Sequence, residues 1–280
     1  MRMIAETFLR LRMRKEGALI AYVTAGDPTP EHTPRIVEAL VDAGADIIEL
    51  GIPFSDPIAD GPTIQAATLR ALKAGTTPKK VLRIVEEIRK ENRVPIVILS
   101  YYNPIFQMGL KSFFEYAQAS GVNGVIVPDL PVEEACEYKE IAEVYGVDTI
   151  FLAAPSTSIE RLRKILEYTS GFLYLVSIFG VTGARDKLQD MTIKLIKRVL
   201  PTTRGKIPLA VGFGISKPEH VRAVIKNGAD AAIVGSGFVR IIERECNKVD
   251  EMLKELREYA SLLKKATVNK RICSSSSPIF

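Results

Sequence analysis

The chain has 280 residues, 47% hydrophobic and 25% charged, with two histidines, three cysteines, no tryptophan and a net charge of +5. That length suits one large α/β domain or two small ones, able to bury a core without staples. Two histidines exclude a histidine-rich metal centre, and the scattered Cys136, Cys246 and Cys273 exclude a disulfide framework or a CxxC pair. The small positive charge is dispersed among acidic residues and makes no case for nucleic acid. Catalysis is left to carboxylates, hydroxyls, lysines and backbone dipoles.

In chain order, residues 1–15 come first. They are Arg-rich, as a transit peptide is, but Met3, Ile4, Phe8 and Leu11 recur on one face and Glu6 is out of place in a transit signal. An N-terminal capping helix is predicted. Eight short apolar runs follow, at 18–24, 46–52, 94–101, 124–128, 149–153, 172–178, 208–212 and 231–235. Most are rich in Ile, Val and Leu on both parities, as strands buried on both faces of a parallel sheet are. Amphipathic helices are predicted between them at 33–43, 78–92, 112–120, 133–145, 159–168 and 218–227. Gly44, Gly121, Gly146 and Gly228 stand where a helix C-cap would. Eight strand–helix units in about 260 residues match a (β/α)8 TIM barrel. The rival, an open doubly wound sheet, normally carries a glycine-rich turn after its first strand. Here that turn is Thr24-Ala25-Gly26-Asp27-Pro28, which is no dinucleotide fingerprint. Residues 1–265 read as one barrel domain and 266–280, with the run Ser274-Ser275-Ser276-Ser277, as a flexible tail. No apolar run reaches the roughly 20 residues that span a bilayer. The unpaired cysteines suit a reducing compartment, and the expected location is cytoplasmic.

In such a barrel the chemistry sits at the C-terminal ends of the strands. Side chains alternate along a strand, so Ile48, Leu50 and Ile52 share one face and Ile47, Glu49 and Gly51 the other. The apolar set suits the helix-covered outside, which turns Glu49 into the barrel. A carboxylate among apolar neighbours has a raised pKa suited to acid–base work; the plainer alternative is a structural Glu paired with a Lys or Arg. The long loop that follows holds Asp56 and Asp60, each a candidate second carboxylate and each a common turn residue, and spacing does not choose between them. Gly212-Phe213-Gly214-Ile215-Ser216 follows the seventh run and Gly235-Ser236-Gly237 the eighth, where many barrels hold a phosphate on glycine amides and a helix N-terminus. Ser216 and Glu219 fit a capping box. Gly180-Val181-Thr182-Gly183 offers a third loop able to close over a ligand. Tyr174 faces either the lumen or the core. Tyr22, Tyr101, Asn103 and Asp129 lie at strand ends, whereas His32 and His220 do not.

The run Glu49-Leu50-Gly51-Ile52-Pro53-Phe54-Ser55-Asp56-Pro57, continuing through Ala59-Asp60-Gly61-Pro62-Thr63-Ile64-Gln65, resembles the signature of the tryptophan synthase alpha subunit family. The likeness extends to Thr24, Gly26-Asp27-Pro28, Pro131-Val132-Glu133-Glu134, the Gly180–Gly183 loop and the Gly212–Ser216 loop. It covers nearly everything up to about residue 265. It implies a lyase that splits indole-3-glycerol phosphate into indole and glyceraldehyde 3-phosphate, with Glu49 and Asp60 as the catalytic pair. It implies a phosphate grip at Phe213, Gly183, Gly214, Gly235 and Ser236. The implied indole pocket includes Tyr22, Ile64, Leu99, Ile126 and Tyr174, while Tyr101, Asp129 and Thr182 order the loops. No metal and no cofactor are implied for this chain; pyridoxal phosphate is expected in a partner beta subunit, within an α2β2 complex. Ile178 departs from the family pattern, where many relatives have Arg, and the tail has no counterpart. The alternatives are another phosphosugar barrel enzyme, or a non-catalytic activator of the beta subunit.

Overall fold

The computed structural model describes residues 2–176, 185–212 and 214–268. The chain opens with α1 (Met3–Met13) and then alternates strands and helices. The strands are β1 (Ala18–Thr24), β2 (Ile47–Gly51), β3 (Ile96–Leu99), β4 (Gly124–Ile126), β5 (Asp148–Ile150), β6 (Leu152–Ala153), β7 (Leu173–Val176), β8 (Leu209–Gly212) and β9 (Ala231–Val234). All pair in parallel, in the order β5-β4-β3-β2-β1-β9-β8-β7-β6. The two end strands are separated in sequence by Phe151 alone, whose carbonyl accepts from the Tyr174 N–H at 3.0 Å. β5 and β6 are therefore one barrel position, bent at Phe151, and the sheet closes on itself in eight positions. This is the predicted (β/α)8 barrel.

The helices are α2 (Thr33–Asp42), α3 (Pro62–Lys73), α4 (Pro78–Glu91), α5 (Tyr102–Met108), α6 (Leu110–Ser120), α7 (Cys136–Val144), α8 (Ile159–Tyr168), α9 (Arg185–Thr203), α10 (Pro218–Lys226), α11 (Ser236–Arg244) and α12 (Val249–Lys265). Local rules set their ends. Thr77 and Ser158 cap α4 and α8 by accepting from the N–H groups of Lys80 and Arg161. The four expected C-terminal glycines all hold positive φ. The capping box at Ser216 and Glu219 does not form. Proline forces the residue before it out of the helical region; Lys217 is extended, with φ −133° and ψ 151°, so α10 starts at Pro218 with Lys217 as its cap. The segment predicted as one helix over 133–145 is split into a 3-10 turn, Val132–Glu134, and α7.

Strand parity divides the core. Leu19, Ala21, Val23, Ile48 and Leu50 pack outward against the helices. Ala18, Ile20, Ile47, Val97, Ile126, Phe172 and Ile233 fill the lumen, and Ile4, Phe8 and Leu11 of α1 join that cluster. α1 thus caps the N-terminal end as predicted, with Phe8 edge-on to Phe172 at 6.2 Å. A third cluster, formed by Tyr22, Ala67 and Val239 with Ile64 and Leu99 against it, covers the other end. The packed chain runs past residue 265: Ala266 and Thr267 are buried, the Thr267 carbonyl accepts from the Gly17 N–H at 3.0 Å, and Val268 bridges to Glu16. Among the described residues no helix is long and apolar enough to cross a membrane.

Candidate active site

β2 is buried along its whole length, and its parity is the expected one. Glu49 lies between Tyr22 of β1 and Val97 of β3 in the sheet register. It is 1% exposed, and its Oε2 has no hydrogen-bond partner. Among the described residues no Lys or Arg pairs with it, as the structural-pair alternative would require. Loss of hydration, with the nearby charge of Asp60 second, pushes its pKa up to about 8.

The loop after β2 separates the two aspartates. Asp56 is exposed, and its carboxylate accepts from the neighbouring Ser55 hydroxyl at 2.5 Å. Asp60 is half-buried, and its Oδ2 accepts from the Tyr101 hydroxyl at 3.1 Å. That same hydroxyl accepts from the Ala59 N–H at 2.8 Å, and the Gln65 amide donates to the Asp60 carbonyl at 2.8 Å. The Phe54 ring lies 5.4 Å from that of Tyr101. Tyr101 thereby latches the loop to the end of β3. Burial raises the Asp60 pKa and the Tyr101 bond opposes the rise.

Two tyrosines complete the mouth. Tyr22 bonds the Thr24 hydroxyl at 3.1 Å, and its ring occupies the space a side chain at Gly51 would need. Tyr174 stands in the same relation to Gly212. Burial, together with the charges of Glu49 and Asp60, keeps both phenols protonated. Tyr174 belongs to the lumen cluster, which decides its open orientation. Leu99 and Ile126 are paired in register on β3 and β4, Ile126 within the lumen floor, and Ile64 lies with Leu99 against Tyr22. The apolar candidates thus flank the carboxylates on one side.

On the other side lie the ends of β8 and β9. Gly214 has φ +72°, a conformation that favours glycine. Gly235 follows β9, lies against the Tyr22 ring and caps α11, with no side-chain hydrogen bond at that cap. Ser236 is the first residue of α11, so Gly235 and Ser236 form a helix N-terminus of the kind that binds anions. Thr182, Gly183, Phe213 and Ile178 lie outside the described residues. Asn103 is exposed on α5 and is not brought in, whereas Asp129, also exposed, accepts from the Tyr102 N–H at 2.9 Å and lies close enough for its charge to act on Tyr101. His32 bonds Thr29, and the His220 ring accepts from the Ser216 N–H. Among the described residues no three His, Cys, Asp or Glu side chains gather as a metal site would need. The roles of Gln65 and Thr24 were not predicted; Gln65 was hidden inside the signature that carries Asp60.

A closed (β/α)8 barrel with a buried carboxyl and a second carboxylate at its C-terminal mouth is the frame of a barrel enzyme. Known proteins sharpen this. The family described as "Tryptophan synthase alpha chain" matches residues 8–268. The alpha chain of Methanosarcina acetivorans is 55% identical over 259 residues, covering 92% of this chain and 93% of its own. A crystal structure of tryptophan synthase subunit alpha from Legionella pneumophila superposes with a TM-score of 0.86 at 36% identity, covering 95% and 98%. A structure concerned with mutual activation of the tryptophan synthase α2β2 complex of Pyrococcus furiosus gives 0.83 at 46%, covering 89% and 98%. The chain belongs to the tryptophan synthase alpha chain family. It is the lyase of the alpha reaction, which cleaves indole-3-glycerol phosphate.

Proposed function

We propose that Glu49 is the general acid–base of this cleavage and that Asp60 holds the indole ring. Breaking the bond between indole C3 and the first glycerol carbon requires a proton on C3, so that the ring becomes an electron sink. Glu49, protonated at neutral pH, donates it. Asp60 accepts the indole N–H and stabilises the positive charge that develops on the ring. Glu49, now a carboxylate, then takes the proton of the glycerol hydroxyl. The C–C bonding pair returns to the ring, which leaves as indole, and the carbonyl of glyceraldehyde 3-phosphate forms. One proton is given and one recovered. Tyr22, Ile64, Leu99, Ile126 and Tyr174 enclose the indole. Gly214, Gly235 and Ser236, with Gly183 and Phe213, hold the phosphate, and Thr182 orders the closing loop. The observation that carries this reading is the unpartnered Glu49 oxygen, buried in the charge field of Asp60.

The expected partner is a beta subunit carrying pyridoxal phosphate, which receives the indole in an α2β2 complex; the Pyrococcus furiosus relative supports this. Ile58, 82% exposed on the loop beside Asp60, suits a covered surface. The proposed location is cytoplasmic, in keeping with the free Cys136 and Cys246. Residues 1–268 are proposed to suffice for activity.

Indole release from indole-3-glycerol phosphate, with and without a beta subunit, tests the assignment. Glu49→Gln is expected to lose at least about 100-fold in kcat, the usual scale of general acid–base catalysis, while inorganic phosphate still binds. Asp60→Asn is expected to fall strongly as well. Unchanged turnover in either variant removes that residue from the pair.

A further inference from the structure

Arg70 plays no part in the mechanism above, yet it makes three charge-assisted bonds, two to the loop after β1 and one to α11. Its Nε and Nη2 donate to the two oxygens of Asp27 at 2.8 and 2.9 Å, and its Nη1 donates to Glu243 at 2.8 Å. The Asp27 side chain is fully buried, and its N–H donates to the carbonyl of Thr24 at the end of β1. Arg70 is on α3, Glu243 on α11. We infer that Arg70 is a positioning residue that holds α3 and α11 in fixed relation across Tyr22, and so sets the span between the two ends of the substrate cleft.

The inference follows from what each helix carries, and it rests on the proposed reading of those ends as indole and phosphate subsites. α3 begins two residues after Asp60 and bears Ile64. α11 begins at Ser236. The helices meet at Ala67 and Val239, both fully buried against Tyr22. Arg70 lies one turn beyond Ala67, and Glu243 one turn beyond Val239, so the ion pair continues the same contact line. A small residue at the contact and a planar, bidentate fork beyond it leave little freedom to slide. The buried Asp27 fixes the pair to β1, the strand that also carries Tyr22. A substrate must reach both helix N-termini at once, so a shift of one helix against the other harms the whole molecule while leaving each subsite intact.

The test compares whole and part ligands. Lysine keeps the charge of Arg70 but not the fork. In Arg70→Lys the KM for indole-3-glycerol phosphate is expected to rise, and kcat/KM to fall by about tenfold to 100-fold, the scale of an ångström-level misplacement. Dissociation constants for inorganic phosphate alone and for indole alone are expected to stay within about twofold, since misplacement penalises only a ligand that spans both subsites. Glu243→Gln, which leaves the buried Arg70–Asp27 pair in place, is expected to show the same pattern more weakly and carries the test should Arg70→Lys fail to fold. Parallel weakening of all three ligands would mark a merely structural role and overturn the inference, as would an unchanged KM in both variants. Failure of the unaltered protein to bind phosphate or indole would instead overturn the assignment of the subsites.

Discussion

At the scale of residues, Glu49 illustrates how burial makes a reagent. No described cation pairs with it, and its charged form is disfavoured twice, by lost hydration and by Asp60. The sign of the pH dependence follows. The folded pKa, about 8, lies above the ordinary 4.5, so the folded state holds the proton more tightly than the unfolded one. The stability this contributes is full below pH 4.5 and is lost as pH rises to about 8. Thermal unfolding of the protein and of Glu49→Gln is therefore expected to diverge across that window, the variant gaining relative to the parent as pH rises. A constant difference would show that Glu49 is not perturbed. The kcat/KM profile is expected to fall above about pH 8, where free Glu49 loses the proton it must donate. Removing the Asp60 charge in Asp60→Asn lowers the Glu49 pKa, which carboxyl NMR titration would read directly.

Among elements, the loop between β2 and α3 depends on a neighbour for its shape. Tyr101, at the end of β3, accepts from Ala59 and donates to Asp60 through one hydroxyl. Tyr101→Phe keeps the ring against Phe54 and deletes both bonds. A hydrogen bond to a charged group is worth about 1.5–3 kcal/mol, so kcat/KM is expected to drop by roughly tenfold to 150-fold. Amide exchange over residues 53–61 is expected to rise, and an unaltered exchange pattern would show that the latch does not order the loop. Glycine has a matching role on the strands. Gly51 and Gly212 leave space for the rings of Tyr22 and Tyr174, so two large side chains fit where a barrel lumen has little volume. An alanine at either place overpacks the mouth, at a cost of about 1–3 kcal/mol.

For the whole molecule, the two ends of the barrel divide the labour. The N-terminal end is closed by α1, and its cost of damage is stability. Phe8→Ala is expected to lose about 3–5 kcal/mol, the range for a buried aromatic, while kcat at a temperature below unfolding stays near the parent value. Deleting residues 269–280 is expected to leave both activity and Tm unchanged. Truncation from residue 266 removes the buried Thr267 and its bond to Gly17, and is expected to lower Tm. A large loss of activity on removing only 269–280 would show that this segment takes part in function.

Much of this was legible in the chain. The strand at 18–24 is predicted and observed with the same ends, because seven consecutive buried residues leave no other reading. Period-two alternation in β2 placed Glu49 inside, since a one-residue shift would have exposed Ile48 and Leu50. Less legible were α11 and α12, the former because Gly235-Ser236-Gly237 reads as a turn when its helix is not yet known. By itself the sequence determined the barrel, the inward Glu49 and, through its long motif, the family; these rest on local periodicity and on residue order, which the chain carries along its length. Only the tertiary structure showed that Asp60 is held by Tyr101 while Asp56 is exposed, that no described cation pairs with Glu49, and that Arg70 joins Asp27 to Glu243 across 43 and 173 residues of chain. Burial and pairing between distant residues have no period to read, and they exist only once the eight strand positions have closed.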